Sequence, residues 1–563
     1  MLVEEIPRQT ERERDTMIQV IAGSGRFSEA SFTTLRTISG TTNVSLFIDP
    51  ANVPVRYIRL RAIAMNTIPL RKSWMKSTLL SSLASVLCFS ASAQIQQAWV
   101  AKYNNGITNG NHQALKMALD PSGNIYVLGV SQNANTNTGY VTIKYAPNGN
   151  PLWTARYDST NYPTATPTGF ALDSSNAVAV TGDAVTVKYD ANGNQLWTAP
   201  YNARAIAVDA GQNVYLTGVS SNFTTMKLNP VGSNLWTTTW SPYIPPNLSQ
   251  IIKVDSSSNV YVAGMVAIPD FSFNYAQMGT IKYDPNGNFL WQDITETAGD
   301  PGNVHVVGMI LDGSGNVYIE ANFVGTYGQF QTYQYNNDGS PGWSASNPTD
   351  NVSSMSHGMA LDSQGNVVVT GGSTYYFPNN QYGTYKLGTN GNYLWGSFYP
   401  TQSSGNSVAT SIAVDQGNNL YVTGESTNAT SSGAIVTIKY DSNGNQLWLQ
   451  RYDGPGIGND AGNAIAVDNS GNVYVAGYET ETNGFTSMIL IKYSPVTLQK
   501  QPNGNVILRA YGSPGETFDL QASTNLQTWE DLGDVIADTN GVVQYDDTNA
   551  PSFTSRFYYT VPQ

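Results

Sequence analysis

Two short phrases recur about every 50 residues along this chain, and this periodicity limits its possible folds more than any other feature. The first phrase reads apolar-x-Asp-x-x-Gly-Asn-apolar-Tyr-Val-x-Gly. Five clear copies are "LDPSGNIYVLG" (119–129), "VDSSSNVYVAG" (254–264), "LDSQGNVVVTG" (361–371), "VDQGNNLYVTG" (414–424) and "VDNSGNVYVAG" (467–477). Looser copies centre on Asp173, Asp209 and Asp312, which makes eight repeats in all.

A second phrase, Thr-x-Lys-Tyr-x-x-x-Gly-x-x-x-Trp, follows most copies of the first. Its tryptophans, which we expect to be structural, are Trp153, Trp197, Trp236, Trp291, Trp343, Trp395 and Trp448. Alternating apolar and polar residues around Asn-Gly turns predict four short antiparallel strands in each repeat. A unit of that size cannot bury both faces alone, and β-propellers solve this by packing such sheets around an axis.

Seven tryptophans serve eight repeats, because the last copy, "MILIKYSPVTLQK" (488–500), stops before its tryptophan. The segment "IQQAWVAKYNNG" (95–106) resembles "NQLWLQRYDGPG" (445–456) and has no repeat before it. Trp99 therefore supplies the missing tryptophan. The sequence predicts an all-β, eight-bladed propeller of four-stranded antiparallel blades, closed by the N-terminal strand. An open stack of β units is the alternative.

The repeats resemble the bacterial SBBP-type β-propeller repeat, a relative of the NHL-type repeat. The segment "YDGPGIGNDAGNAIAVDNSGNVYVAGYE" (452–479) carries this resemblance most clearly, and the resemblance covers roughly residues 95–495. Repeats two, three and five depart from the pattern, which leaves their blade boundaries open. The resemblance implies a secreted or cell-surface bacterial propeller and implies no single activity.

Net charge is distributed unevenly along the chain. The formal net charge is -13, and residues 1–93 hold 11 of the 27 Lys and Arg and 7 of the 40 Asp and Glu. The remainder therefore carries 16 minus 33, or -17. A surface this acidic repels phosphate backbones, so nucleic acid and anionic membranes are poor partners.

Residues 65–93 contain the parts of a secretory signal peptide: basic residues, an apolar run and small residues before Gln94. The apolar run is too short to span a membrane, and a signal anchor or a buried strand is the alternative. The only cysteine, Cys88, lies inside it. Because a signal peptide works at the N-terminus, residues 1–64 are interpreted as a misassigned start or as an extra β-rich N-terminal segment.

Residues 94–497 are assigned to the propeller and residues 498–563 to a small C-terminal β-sandwich. Within the latter, "LQASTNLQTWEDLG" followed by "RFYY" is similar to a C-terminal β module of secreted bacterial proteins. The sequence leaves open whether this module anchors the protein or caps the propeller.

Groups for catalysis are scarce, and we predict no catalytic residue, metal site or cofactor. The histidines His112, His305 and His357 stand in different repeats without nearby carboxylates at ligand spacing. The turns "DANGN" (190–194), "DPNGN" (284–288) and "DSNGN" (441–445) offer too few oxygens for calcium and are interpreted as Asx turns, with calcium as the alternative.

The phrase "YDPNGNFLW" (283–291) also resembles the tryptophan-docking motif of eight-bladed quinoprotein dehydrogenases. That motif is structural in those enzymes. The part of the chain after the signal has no adjacent cysteine pair, which counts against their activity here.

Loops of variable length fall between the second and third strands and between repeats, at one end of the predicted sheets. Such loops carry function on rigid scaffolds. Their aromatic residues suit stacking on sugars or contact with a protein: Phe271, Phe273, Tyr275, Tyr375, Tyr376, Phe377, Tyr162 and Tyr243. Packing within their own loops is the simpler alternative for each.

These observations predict a secreted, monomeric, non-enzymatic binding or scaffold protein whose partner is a glycan or an extracellular protein. The alternative is an extracytoplasmic hydrolase, lyase or quinoprotein-like oxidoreductase with a site at the axial mouth of the propeller.

Overall fold

The structure is a computed structural model of the chain. It describes residues 18–22, 58–62 and 95–562, apart from 161–162, 220–221, 244–246, 270–273, 296–302, 325–328, 347–353, 374–380, 400–405, 428–432, 513–514, 525–527, 539–541 and 554–555. The predicted signal peptide and Cys88 lie outside these ranges. The chain forms two compact units, one of residues 1–91, 521–532 and 552–559, the other of 92–520, 533–551 and 560–563.

In the smaller unit β1 (Ile18–Ala22) pairs antiparallel with β2 (Ile58–Ala62). The larger unit begins with β3 (Ile95–Tyr103). It contains eight four-stranded antiparallel sheets, here named sheet one to sheet eight.

The strands of the first four sheets follow one another along the chain. Sheet one holds β4 (His112–Leu119), β5 (Ile125–Gln132), β6 (Thr138–Tyr145) and β7 (Pro151–Tyr157). Sheet two holds β8 (Pro167–Leu172), β9 (Val178–Gly182), β10 (Thr186–Tyr189) and β11 (Gln195–Ala199). Sheet three holds β12 (Ala205–Val208), β13 (Val214–Thr217), β14 (Phe223–Leu228) and β15 (Asn234–Trp240). Sheet four holds β16 (Leu248–Val254), β17 (Val260–Pro269), β18 (Asn274–Tyr283) and β19 (Phe289–Thr295).

The last four sheets continue the series. Sheet five holds β20 (Asn303–Leu311), β21 (Val317–Val324), β22 (Gln329–Tyr335) and β23 (Pro341–Ser346). Sheet six holds β24 (Ser354–Leu361), β25 (Val367–Ser373), β26 (Gln381–Leu387) and β27 (Tyr393–Tyr399). Sheet seven holds β28 (Ser407–Val414), β29 (Leu420–Ser426), β30 (Ala434–Tyr440) and β31 (Gln446–Tyr452). Sheet eight holds β32 (Ala461–Val467), β33 (Val473–Thr480), β34 (Thr486–Pro495) and, as its outer strand, β3.

Sheets one to seven are meanders, and in every sheet the second strand is almost completely buried. In β5, β9, β25 and β33 nearly every residue is buried, because both faces of the sheet are covered by apolar side chains of neighbouring sheets. One core cluster, for example, joins Trp99 of sheet eight with Val141 of sheet one. The prediction of an all-β chain built from repeated four-stranded sheets is confirmed.

Sheet eight combines the two ends of the repeat region. Strand β3 pairs antiparallel with β34, with Trp99 opposite Lys492. This is the register found within single repeats, where Trp153 lies opposite Lys144. No turn joins the third and outer strands of sheet eight, because they come from distant parts of the sequence.

The first strand of each sheet, β4, β8, β12, β16, β20, β24, β28 or β32, lies at one edge of that sheet. Each contacts the first strands of the two neighbouring sheets, and the series of contacts returns from β32 to β4. Asn463 adds a side-chain bond at this last step, because its Nδ2 donates to the carbonyl of Ala114 at 2.8 Å. The contacts between the eight first strands therefore form a closed series.

Six further strands follow the repeats. They are β35 (Thr497–Lys500), β36 (Val506–Tyr511), β37 (Thr517–Ser523), β38 (Glu530–Ile536), β39 (Val542–Asp547) and β40 (Phe557–Pro562). They form two three-stranded sheets, ordered β35-β36-β39 and β38-β37-β40, and the only described helix of this segment is the 3-10 turn Ala550–Ser552. No helix in the described part of the chain has the length and apolar character needed to cross a membrane.

Candidate functional site

The two ends of the sheets differ in how their polar groups are used. The turn end carries the turns between strands one and two and between strands three and four. The link end carries the connections between strands two and three and the links between sheets.

An aspartate opens the first turn of every sheet and binds the turn's own backbone. In sheet eight, Oδ1 of Asp468 accepts the backbone N–H of Ser470 and Asn472 at 2.9 Å, while Oδ2 accepts Asn472 Nδ2 at 2.7 Å and the Tyr474 hydroxyl at 3.1 Å. In all eight sheets Oδ1 accepts the N–H four residues on, at Asp120, Asp173, Asp209, Asp255, Asp312, Asp362, Asp415 and Asp468. These carboxylates stabilise turns.

A lysine on the third strand connects this aspartate to the neighbouring sheet. In sheet six, Lys386 Nζ lies 2.9 Å from Asp362 Oδ2 and donates to the Ser442 carbonyl of sheet seven at 3.1 Å. Trp395 Nε1 donates to the same carbonyl at 3.0 Å. Sheets one, three and four repeat this convergence of a lysine and a tryptophan on one carbonyl of the next sheet.

The repeat tryptophans lie across the joints between sheets. In sheets one to six the indole N–H donates to a carbonyl in the turn between strands three and four of the next sheet, at 2.8–3.1 Å. The pairs are Trp153–Ala191, Trp197–Pro230, Trp236–Pro285, Trp291–Asn337, Trp343–Thr389 and Trp395–Ser442.

Trp448 and Trp99 occupy the two remaining joints. Trp448 has no such turn to contact, because the third and outer strands of sheet eight are not joined. Its ring keeps the contact with a tyrosine of its own sheet that the other sheets also show, 5.9 Å from the ring of Tyr421. Trp99 is 6% exposed and packs on sheet one, where a Cβ added to Gly149 would lie 2.8 Å from its Cδ2. Seven turns between strands three and four therefore face a tryptophan. Six are contacted by the tryptophans of sheets one to six, and the turn of sheet one is contacted by Trp99.

The three "DxNGN" turns have the geometry of Asx turns. In "DPNGN", Asp284 Oδ1 accepts the N–H of Asn286 and Asn288 at 2.8 Å, and Oδ2 accepts Asn288 Nδ2 at 2.8 Å. These bonds, led by the one from Asn288 Nδ2, hold the pKa of Asp284 below its usual value. No group of three or more His, Cys, Asp or Glu side chains within the described ranges is arranged to hold a metal ion.

The link end carries the aromatic residues that the sequence analysis selected for binding. Tyr162, Phe271, Phe273, Tyr375, Tyr376 and Phe377 lie outside the described residues, as does the side chain of Tyr275. Tyr243, in the link between sheets three and four, is 39% exposed. Its carbonyl accepts Asn247 Nδ2 at 3.0 Å, which holds the backbone of this link.

The three histidines occupy separate environments. His112 is fully buried in sheet one, where its Nδ1 lies 2.8 Å from Ser131 Oγ, and burial lowers its pKa to about 4. His305 and His357 are exposed on the first strands of sheets five and six, and desolvation lowers the pKa of His357. The structure does not join them in one site.

A cluster of carboxylates lies at the link end of sheets seven and eight. The buried Asp460 accepts the Thr480 backbone N–H at 2.7 Å, and Lys102 of β3 forms an ion pair with the buried Glu479. Burial raises the pKa of Asp460, with a further contribution from Glu479, and burial together with Asp460 raises the pKa of Glu425. Carboxyl groups with a raised pKa are candidates for general acid catalysis.

The sequence analysis did not select this carboxylate cluster. Its members come from two repeats and from β3, so no single motif unites them. The available signal was the acidic ending of two second strands, "VTGES" (422–426) and "VAGYETE" (475–481), compared with "VLGVSQ" (127–132) in sheet one.

No protein-family model matches the chain. No curated protein matches it either. Among solved structures, the chain is similar to a catalytically inactive virginiamycin B lyase from Staphylococcus aureus with quinupristin, at 11% identity and a TM-score of 0.37, over 71% of this chain and 99% of the lyase.

Two further solved structures resemble the chain at similar levels. PorZ, a surface component of the type-IX secretion system of Porphyromonas gingivalis, is 10% identical with a TM-score of 0.38, over 78% of this chain and 68% of PorZ. A gluconolactonase from Xanthomonas campestris is 13% identical with a TM-score of 0.29, over 67% of this chain and 97% of the enzyme. These proteins have different roles, and similarity at this level assigns no activity to this chain.

Proposed function

We propose that the chain is a secreted, eight-bladed β-propeller of the SBBP type that binds a glycan or an extracellular protein through its link end. The circuit of first strands and the pairing of β3 with β34 support the ring. The signal-like residues 65–93 support export. The binding role rests on one observation, the unequal use of polar groups at the two ends.

The turn end uses its repeated polar side chains for its own structure. The aspartates bind their turns, and the tryptophans bind the next sheet along the circuit. The link end differs from repeat to repeat, and the exposed ring of Tyr243 lies there. A rigid scaffold with variable connections at one end is the usual architecture of a binding surface.

The test measures thermal stability of the purified chain with a panel of soluble glycans. A ligand selective for the folded state raises the midpoint in proportion to RT ln(1 + [L]/Kd). We expect a saturable rise that is lost in the triple variant Tyr375→Ala, Tyr376→Ala, Phe377→Ala. The control is Tyr393→Ala, which removes a 48% exposed tyrosine at the turn end. If the triple variant and the control variant lost the ligand-induced rise in midpoint to the same extent, the proposal would be contradicted.

The carboxylates of sheets seven and eight favour a second candidate, an extracytoplasmic hydrolase or lyase. Glu425 and Asp460 both have raised pKa values and lie at the same end as the variable links. If a glycan that binds is also cleaved, and Glu425→Gln abolishes cleavage while binding persists, the enzyme replaces the scaffold as the function of this surface.

A further inference from the structure

The eight first strands have an unusual charge composition for so acidic a chain. They contain no Asp or Glu, and their only Lys or Arg residues are Lys116 and Lys253. The sequence as a whole has 40 acidic residues against 27 basic ones. The circuit of first strands encloses the axis of the proposed ring, and the only Lys, Arg, Asp or Glu side chains that these strands bring to it are the two lysines.

Repeat positions that face this axis otherwise carry small residues. The residue two before the turn aspartate is accessible to water in every sheet, and it is alanine in six of them: Ala118, Ala171, Ala207, Ala360, Ala413 and Ala466. Sheet four has Lys253 here. The residue four before the aspartate is Gly, Ala, Ser or Ile in seven sheets and Lys116 in sheet one. Neither lysine is required by the repeat.

The two lysines are enclosed by protein but accessible to water. Both residues are exposed, yet desolvation by the surrounding protein lowers the pKa of each amine. The charge of Lys253 lowers the pKa of Lys116 further, so the ammonium groups are within electrostatic reach of each other across the axis.

No carboxylate within the described ranges forms an ion pair with Lys116 or Lys253. Four third-strand lysines differ in this respect, and two of them, Lys188 and Lys386, each lie 2.9 Å from an aspartate. Repulsion between two ammonium groups without a counter-ion lowers the stability of the folded state. A residue that departs from the repeat pattern and also lowers stability is typical of a ligand site.

We propose that the axial channel binds a small oxyanion, of the phosphate, sulfate or dicarboxylate class, between Lys116 and Lys253. A doubly charged anion of this size would neutralise both ammonium groups, and most of the corresponding positions in the other sheets carry Ala, Gly or Ser, which present little bulk to it. The site rests on the circuit of first strands and is independent of the proposed binding at the link end.

The test titrates inorganic phosphate into the full chain at pH 7.5, with sodium chloride adjusted to constant ionic strength. We expect a saturable rise in Tm and saturable heat by calorimetry. Lys116→Met and Lys253→Met should each weaken phosphate binding at least tenfold, and Lys253→Arg should retain it. The matched control Lys500→Met removes an exposed lysine on β35 and should bind as the wild type does.

A second measurement needs no variant. Amine-reactive labelling followed by lysine-resolved mass spectrometry should show phosphate protecting Lys116 and Lys253 but not Lys500. The same labelling with sulfate or succinate in place of phosphate shows which anions protect the two lysines and so defines the class of anion that binds. Unchanged labelling at Lys116 and Lys253 under saturating phosphate, sulfate and succinate would overturn the proposal, as would undiminished binding in the folded Lys116→Met, Lys253→Met double variant.

Discussion

At the scale of single residues, glycine sets the contact between a turn and the tryptophan that covers it. Seven turns between strands three and four place a glycine with positive φ directly against an indole ring: Gly149, Gly193, Gly232, Gly287, Gly339, Gly391 and Gly444. A side chain there would strain the backbone and displace the ring. The repeated glycine of the second phrase is explained by both effects.

Gly149→Ala and Gly484→Ala separate these two effects. Both glycines have φ near +85° (86° and 84°), but an added Cβ meets Trp99 at Gly149 and nothing within 4 Å at Gly484. The backbone cost is about 1–2 kcal/mol for each variant. Overpacking should destabilise Gly149→Ala by roughly a further 1–3 kcal/mol in urea unfolding. Equal destabilisation would contradict a tight contact at Trp99.

Glu320 is a second informative residue, because it occupies a repeat position that carries threonine in four other sheets: Thr181, Thr217, Thr370 and Thr423. In sheet six this threonine pairs with Thr384 at 3.0 Å, whereas Glu320 is fully buried and accepts a hydrogen bond from Thr332. Burial raises the pKa of Glu320 from 4.5 to about 7.

We expect Glu320→Thr to stabilise the protein at pH 8 and to have little effect of this origin near pH 4.5. Below 4.5 the carboxyl is protonated in both folded and unfolded chains. As the pH rises from 4.5 to about 7, the unfolded chain ionises first and the folded state loses stability, on the order of 3 kcal/mol in total. Urea unfolding of both proteins between pH 5 and 8.5 measures this, and parallel pH profiles would contradict it.

At the scale of elements, β3 is the strand on which the circuit of sheets depends. It supplies Trp99 and Ala98 to a buried cluster that also contains residues of sheet one. It pairs along its whole length with β34, and Lys102 reaches Glu479. Without β3, sheet eight would expose an unpaired edge and apolar surface of Leu490.

A chain that begins at residue 104 should therefore unfold at a lower temperature, and a synthetic peptide of residues 95–103 should restore the midpoint when added in trans. Loss of a buried tryptophan alone typically costs about 3–5 kcal/mol. The control peptide carries Trp99→Ala and should restore less stability. Thermal melts followed by circular dichroism measure both, and identical rescue by the two peptides would contradict the role of Trp99.

The elements also show what the sequence could predict. The tryptophan phrase predicts an outer strand wherever it occurs, and the count of seven tryptophans for eight repeats directs attention to Trp99. Links between repeats obey no such rule, because their sequences and lengths differ from one repeat to the next. The sequence predicted turns at Asp190, Asp284 and Asp441, since an Asx turn is a local interaction within five residues.

At the scale of the whole molecule, the two proposed groups of functional residues cannot be recognised from local sequence, because their members are far apart along the chain. Lys116 and Lys253 stand three repeats apart, and the proposed anion site brings them together only through the circuit of first strands. Lys102 and Glu479 are far apart in sequence and meet only through the pairing of β3 with β34. The eightfold pattern predicts the framework, whereas departures from the pattern mark the candidate sites.

The missing turn of sheet eight makes the repeat region a candidate for circular permutation. Ile95 and Pro495 are Cα partners, so a short Asn-Gly turn could join them. New ends could then be opened in the turn Asp441–Asn445, which connects β30 and β31. Every sheet would keep its four strands, and Trp448 would gain the turn carbonyl that its counterparts in sheets one to six already have.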